Sequence, residues 1–258
     1  MHFAVYSDEI YMTTRLEEER TRWLPFNRGD EHGAGNPHNP NGYKTAYLWE
    51  KILAKDSFMD IVQSFVHLQI ETLHATSFNH AIRTKERMIF PRYHQLDAVR
   101  EITNDARRAG AGKNYLVQHS ASSVKSNTIA WLAYRLSSLH NAQDERIFDS
   151  VIVVTDRKVL DQQLQNTIYQ FEHKTGVVQK IDKSSEQLAM ALGFGINIII
   201  TTLQKFPFVI DKVDELPDRR YAVIIDEAHS SQGGEASKKM KEVLASKTLE
   251  AAVLDDED

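Results

Sequence analysis

The 258 residues contain no cysteine, which excludes disulfides and Cys-based metal centres. No run of about 18 apolar residues occurs, so the sequence offers no transmembrane helix and no membrane partner is expected. The opening Met1-His2-Phe3-Ala4-Val5 lacks the basic start and long apolar core of a signal peptide, so a cytoplasmic location is the expectation. An excess of basic charge is absent as well: 31 Lys and Arg face 36 Asp and Glu, a formal net charge of −5. Nucleic-acid binding, if present, must therefore come from a local patch. What remains is ordinary for a globular chain, with 41% apolar residues to build a core and 26% charged. The length suits one large domain, or one and a half.

The stretch around which the rest is organised is Tyr221-Ala222-Val223-Ile224-Ile225-Asp226-Glu227-Ala228-His229. Its apolar run, Ala222 to Ile225, predicts a strand buried on both faces. The run ends in two carboxylates and a histidine. In an open parallel α/β sheet, ligands sit at the carboxyl ends of the strands. An Asp-Glu pair there suits holding Mg²⁺ and polarising a water against a nucleoside triphosphate. The plainer alternative is a buried strand followed by an acidic helix start.

A partner stretch lies upstream. Asn114-Tyr115-Leu116-Val117-Gln118 predicts a short strand. A small-residue loop, His119-Ser120-Ala121-Ser122-Ser123-Val124-Lys125-Ser126, follows, and then an apolar helix from Thr128 to Leu136. Strand, loop, Lys-Ser and helix form the layout of a phosphate-binding P-loop. Lys125 would neutralise the β and γ phosphates, and the Ser126 hydroxyl would ligate Mg²⁺. Two departures stand out. Val124 occupies the place of the glycine before the lysine, where a β-branched side chain resists positive φ and keeps the backbone from the phosphate. Ser122 occupies a second place where glycine is usual.

Taken in order, His2–Tyr6 and Glu9–Thr13 predict a β-hairpin turning at Ser7-Asp8. Residues 28–42, dense in Gly, Asn and Pro, predict a long ordered loop. Its His32 and His38 have no Cys or carboxylate at ligand spacing, which argues against a metal centre. Thr45–Leu53 and Ser57–Glu71 predict helices, and Leu73–Thr84 a polar connection. Pro91 ends one segment, and a helix follows to about Ala109. From there strands are expected at Tyr115–Gln118, Val151–Thr155, Val177–Ile181, Ile196–Thr201 and Tyr221–Ile225. Helices are expected near Lys125–Leu139, Arg157–Glu172, Glu186–Leu192, Leu203–Phe206 and Glu235–Ala245. Such alternation predicts an α/β fold, a parallel sheet with helices on both faces, preceded by a partial α+β segment. The boundary falls near residues 85–90, and the acidic end, Leu254–Asp258, is expected to be disordered.

Several motifs now fall in order: Arg92-Tyr93-His94-Gln95, the altered loop ending in Lys125-Ser126, Val153-Val154-Thr155-Asp156-Arg157-Lys158, Thr201-Thr202-Leu203-Gln204-Lys205-Phe206 and Asp226-Glu227-Ala228-His229. The series resembles the first, RecA-like motor domain of superfamily 2 helicases and translocases. More closely, it resembles the restriction (R) subunit of type I restriction-modification enzymes. Leu24-Pro25-Phe26-Asn27-Arg28-Gly29, Gly42–Glu50, Phe90–Asp97 and His229–Gly234 are similar to stretches particular to that subunit.

The resemblance implies ATP and Mg²⁺ as cofactors and double-stranded DNA as substrate, with methyltransferase and specificity subunits as partners. It implies that Gln95 reads adenine, that Ser122, Ser123, Val124, Lys125 and Ser126 cradle phosphate, and that Ser126 and Asp226 hold Mg²⁺. Asp226 and Glu227 would be the catalytic carboxylates, and His229 would couple ATP state to DNA. Thr155, Arg157, Thr202, Gln204 and Lys205 match positions touching the phosphates of the DNA track. It further implies residues 1–88 as the end of a nuclease domain and 89–258 as the first helicase lobe. The nuclease Asp…Glu-x-Lys site would lie before residue 1, and the second lobe with its arginine finger after the last residue. A fragment of an ATP-dependent DNA translocase and endonuclease, inactive by itself, is then the expectation, with a gene remnant carrying a damaged P-loop among the alternatives. Another is a non-catalytic module that keeps the DNA-facing surface; a free-standing helicase-like regulator fits the R-specific stretches poorly.

Overall fold

The computed structural model describes residues 1–31, 33–73, 83–118, 125–155, 158–171, 176–182, 184–209, 219–226 and 235–244. They divide into two units, Met1–Arg100 and Glu101–Asp258.

The first unit opens with the expected hairpin. β1 (His2–Val5) runs antiparallel to β2 (Ile10–Thr13), and the turn closes with the Tyr6 N–H donating to the Glu9 carbonyl at 2.9 Å. β3 (Leu24–Pro25) adds to β2, so the hairpin becomes a three-stranded sheet. A two-stranded hairpin is marginal alone, and the third strand and an aromatic cluster supply what it lacks. Phe26 is fully buried, edge-on to Phe3 at 5.4 Å and to Tyr93 at 5.9 Å between ring centroids.

The described residues of 28–42 form an ordered loop, as their composition suggests. Buried Asn36 donates to the Asp8 carbonyl and to Asn27 Oδ1, both at 2.9 Å, and accepts from the Arg28 N–H at 2.9 Å. The Gly29 N–H donates to the Gly35 carbonyl, and both glycines take positive φ, +88° and +103°.

Two expectations in this unit need correction. Thr45–Leu53 is not an α-helix: turns lead into a π-helical stretch, Leu48–Ile52, in which Leu53 N–H reaches back to Leu48 C=O at 2.7 Å. Thr45 Oγ1 donates to the Tyr6 carbonyl and Tyr47 OH to the Phe26 carbonyl, which fixes the chain before the helical turn begins. The second correction concerns Ser57–Glu71. α1 (Lys55–Ser64) is shorter, and β4 (His67–Leu73) pairs antiparallel with β5 (Arg83–Ile89) over seven residues. The helical spacing of Ile61 and Phe65 is real, and both are fully buried. It does not continue into Leu68, which is exposed together with Ile70 and Met88. The strand thus turns apolar residues outward, and its partner β5, which overlaps the expected connection only at Arg83 and Thr84, lies beyond local pattern.

In the second unit four parallel strands follow the order β7-β8-β6-β9. They are β6 (Ser150–Thr155), β7 (Val178–Lys180), β8 (Ile198–Thr202) and β9 (Tyr221–Ile225). Central β6 is buried throughout, the behaviour of a near-continuous apolar run in a covered parallel sheet. On one face Ile152, Val154 and Ile199 pack into a core with Leu188 and Leu192 of α5 (Ser185–Phe194) and Met240 and Val243 of α6 (Glu235–Leu244). Strand alternation turns Val151 and Val153 to the other face. There α3 (Lys125–Ser137) and α4 (Lys158–Gln170) pack against β6 and each other, with Trp131 of α3 edge-on to Phe171. The sheet is therefore flanked by helices on both faces, the architecture of a RecA-like fold.

Two strand expectations change. Tyr115–Gln118 forms no strand, and Leu116 is 82% exposed. The segment follows Gly110 and Gly112, both at positive φ, and is drawn back by Lys113 and Tyr115 to Asp105 of α2 (Tyr93–Ala109). β9 is not buried on both faces: Val223 is 36% exposed. Among the described residues β9 pairs with β6 alone and is an edge strand, so its outer flank lacks the neighbour that burial requires.

Candidate functional site

The carboxyl ends of three strands lie level. Thr155 of β6 is in register with Thr202 of β8, and Val154 with Ile225 of β9. Asp226, just after β9, donates its backbone N–H to the Val154 carbonyl at 3.0 Å. Thr155, Thr202 and Asp226 therefore share the edge of the sheet at which α/β proteins bind ligands. The apolar runs bring them there: Thr155 and Asp226 are the first polar residues after the runs of β6 and β9, and Thr202 follows buried Thr201 at the end of β8.

α3 begins at Lys125 and packs against β6, β8 and β9. Lys125 and Ser126 are half-buried at its first turn, where backbone N–H groups lack helical partners and favour an anion. Thr128 adds a hydroxyl that motif spacing does not single out. It is 7% exposed, and its Oγ1 has no hydrogen-bond partner among the described residues. Its one signal in the sequence is its position one turn beyond Lys125.

Gln95 lies near the start of α2, 3% exposed, and its Oε1 accepts from the Arg92 N–H at 2.9 Å. That bond caps the helix start, as the return bond of a capping box does. Burial, with Arg22 and Arg87 nearby, pushes the Arg92 pKa down.

The residues expected on a DNA track differ in access. Gln204 is exposed and Thr202 half-buried. Thr155 is 2% exposed, and its Oγ1 is without a partner among the described residues. The Lys205 ammonium donates to the Ile181 carbonyl beyond β7, which ties the 3₁₀ turn Leu203–Phe208 to the sheet. Ser122, Ser123, Val124, Arg157, Glu227 and His229 lie outside the described residues.

Residues 94–251 match the family described as SWI2/SNF2 ATPase. The match covers more than half of the 258 residues and spans Gln95, Lys125 and the level strand ends through Asp226. Among the described residues no helix is long and apolar enough to cross a membrane. A parallel α/β sheet with level strand ends thus coincides with a family match over most of the chain's length, and the chain belongs to the SWI2/SNF2 ATPase family, whose domain is a helicase-type ATPase.

Proposed function

We propose that this chain is the ATP-binding motor lobe of a DNA translocase of the type I restriction R-subunit kind, with residues 89–258 as the lobe and 1–88 as the end of a nuclease domain. Its substrate is double-stranded DNA, and its partners are methyltransferase and specificity subunits. The observation that carries this reading is the level edge of β6, β8 and β9, which ends in Thr155, Thr202 and Asp226 within a span matching a helicase-type ATPase.

The donor types fit a Mg·nucleotide. Asp226 offers hard carboxylate oxygen and Ser126 a hydroxyl, both suited to Mg²⁺. Lys125 supplies compact positive charge for the β and γ phosphates. When bound, the nucleotide supplies a transferable γ-phosphoryl group and Mg²⁺ the charge that neutralises it. Glu227 orients the attacking water, and His229 couples the site to DNA. Gln95, buried with its Oε1 taken by the Arg92 N–H, reads adenine only by giving up that cap bond. Along DNA, Gln204 and Thr202 offer polar contacts to phosphate and Arg157 a cation, while buried Thr155 and carbonyl-bound Lys205 shape the strand ends they follow.

The test is calorimetry with Mg·ATP. The unmodified chain binds weakly, in the high micromolar range or about −5 kcal/mol. Lys125→Ala and Asp226→Asn each abolish the heat, and Val124→Gly with Ser122→Gly tightens binding. DNA binding is sequence-independent, and its affinity falls steeply with salt. Affinity that follows sequence and ignores salt sinks the reading. Val124 itself favours a second reading, a module that holds DNA without nucleotide. That reading gains if neither the unmodified chain nor the double glycine variant binds Mg·ATP while both bind DNA.

A further inference from the structure

The first unit carries a cavity of about 150 Å³ that lies outside residues 94–251 and that the reading above leaves unused. Its wall includes Arg28, His38, Lys44, Tyr47, Glu50 and Lys51. We propose that this cavity is a binding site for a single phosphate group, held by Arg28, Lys44 and Lys51.

The first support is charge. Among the described residues, none of these three cations forms a salt bridge, whereas Arg100, Lys113 and Arg220 each pair with an aspartate. A chain of net charge −5 has no shortage of carboxylates, yet the cavity contains one, Glu50. Like charges collected without a carboxylate in salt-bridge range create a local positive potential that an anion relieves.

The second support is that the site is built in advance. The Arg28 backbone is fixed by Asn36, and its guanidinium lies over the Tyr47 ring, 5.6 Å from the centroid. One guanidinium donor bonds the Tyr93 hydroxyl, and stacking leaves the remaining in-plane N–H donors to an oxyanion. The ring is held in turn by its hydroxyl, which donates to the Phe26 carbonyl at 2.7 Å. Long loops ordered to this degree are commonly functional.

The third support is size and donor balance. Pockets for whole small molecules run from about 300 Å³ upward, so this one suits a phosphate group rather than a nucleotide. Asn39, also on the wall, spends its amide within the loop, donating to the Tyr43 carbonyl and accepting from the Asn41 N–H. Donors therefore outnumber acceptors, the balance an acceptor-rich ligand needs.

The phosphate has two possible sources, a DNA backbone or a small phosphorylated molecule. The experiment uses the full chain, with a labelled DNA duplex of mixed sequence followed by anisotropy and inorganic pyrophosphate followed by calorimetry. Lys44→Gln with Lys51→Gln removes attraction, and Glu50→Gln removes repulsion; the first shortens each side chain by one atom and the second is isosteric, all at exposed or half-exposed positions, and melting curves check folding. If DNA is the source, the double variant binds it about tenfold more weakly with a salt slope shallower by about 2, and Glu50→Gln binds it more tightly. If a small molecule is the source, the same opposed changes occur with pyrophosphate and DNA affinity stays put. Support requires the opposed directions with at least one ligand. Absence of binding by the unmodified chain, or any other pattern with both ligands, overturns the proposal. Mg·ATP calorimetry on the same variants separates this site from the strand-end site, because it stays unchanged whichever way the cavity result falls.

Discussion

The loop traced by residues 28–31 and 33–47 and the parallel sheet are both ordered, by opposite means. The loop holds its course through side chains that reach backbone groups: Asn36 to Asp8 and Arg28, Thr45 to Tyr6, Tyr47 to Phe26. The sheet holds its course through backbone ladders and apolar burial, with every residue of β6 buried. Stability in the sheet is shared among many small contacts, so its loss scales with the volume removed. Stability in the loop is concentrated in a few polar atoms, each of which becomes unsatisfied when its partner is removed. The two regions should therefore fail differently, and the largest effects belong to the sheet.

Trp131→Ala tests the sheet side. Trp131 is 1% exposed and lies edge-on to Phe171, ring centroids 6.1 Å apart. Emptying that volume between α3 and α4 costs about 3–5 kcal/mol. Urea unfolding measures it. A loss under about 1 kcal/mol would show that the helices repack and that burial is not what holds this face.

Asn36→Ala tests the loop side. The substitution removes three hydrogen bonds and leaves the Arg28 N–H and the Asp8 carbonyl without that partner. The expected loss is about 2–3 kcal/mol, confined to the first unit. Hydrogen exchange should quicken across residues 28–42 while the amides of β6 and β8 keep their protection. Equal quickening in the sheet would break the comparison, because the loop would then be part of one cooperative whole.

The same contrast explains what the sequence reveals. Ile198–Thr202 and Ser150–Thr155 are apolar runs between turn signals, so their type and place are legible and only their ends shift by a residue or two. The ordered loop is legible as a loop, from Gly, Asn and Pro, but not as a cation-lined cavity, because Lys44 and Lys51 meet Arg28 only through the Asn36 and Tyr47 bonds. β5 is missed for a related reason. Arg83-Thr84-Lys85-Glu86-Arg87 has no apolar alternation, and its strand exists through pairing with β4 rather than through its own pattern. Tyr115–Gln118 errs the other way, since a locally strand-like run forms no strand. At the candidate site, the positions of Asp226 after an apolar run and of Lys125 at a helix start are legible, while the carbonyl bond of Lys205 and the burial of Thr155 depend on tertiary context.

Gly195→Ala sharpens the comparison where the two kinds of order meet. Gly195 ends α5 at φ +69°, and its N–H donates to the Ala191 carbonyl. The Arg219 guanidinium donates to the carbonyls of Leu192 at 3.2 Å and Gly193 at 3.0 Å, and an added Cβ would collide with it. A left-handed alanine costs about 1 kcal/mol, and losing the arginine cap adds about as much, for a total of about 1–2 kcal/mol. With Arg219→Met already in place, the further cost of Gly195→Ala should fall to the backbone part alone. Full additivity by unfolding measurements would mean that the guanidinium moves aside without losing its contribution.

The smallest effect is a pH dependence at Asp105, a side-chain-held point inside the ladder-held unit. Its carboxylate accepts from Lys113 Nζ at 3.0 Å and from Tyr115 OH at 2.9 Å. The Lys113 bond, then the Tyr115 bond, hold the Asp105 carboxyl below its ordinary value of 3.8, and burial opposes them weakly. A carboxyl with a lowered folded-state pKa contributes stability that is fully present above the unfolded value and is lost as pH falls through the folded value. Protonation turns an acceptor of two bonds into a neutral acid, and residues 113–115 lose their attachment to α2. Amide exchange at 113–118, corrected for its intrinsic pH dependence, should therefore speed up on acidification below pH 3.8, while β6 amides do not change over the same interval. Asp105→Asn should give the faster exchange at neutral pH and remove the acid step. The opposite sign, with the segment tightening as Asp105 protonates, would show that the two bonds do not hold it and that the irregular path of 111–118 has another cause.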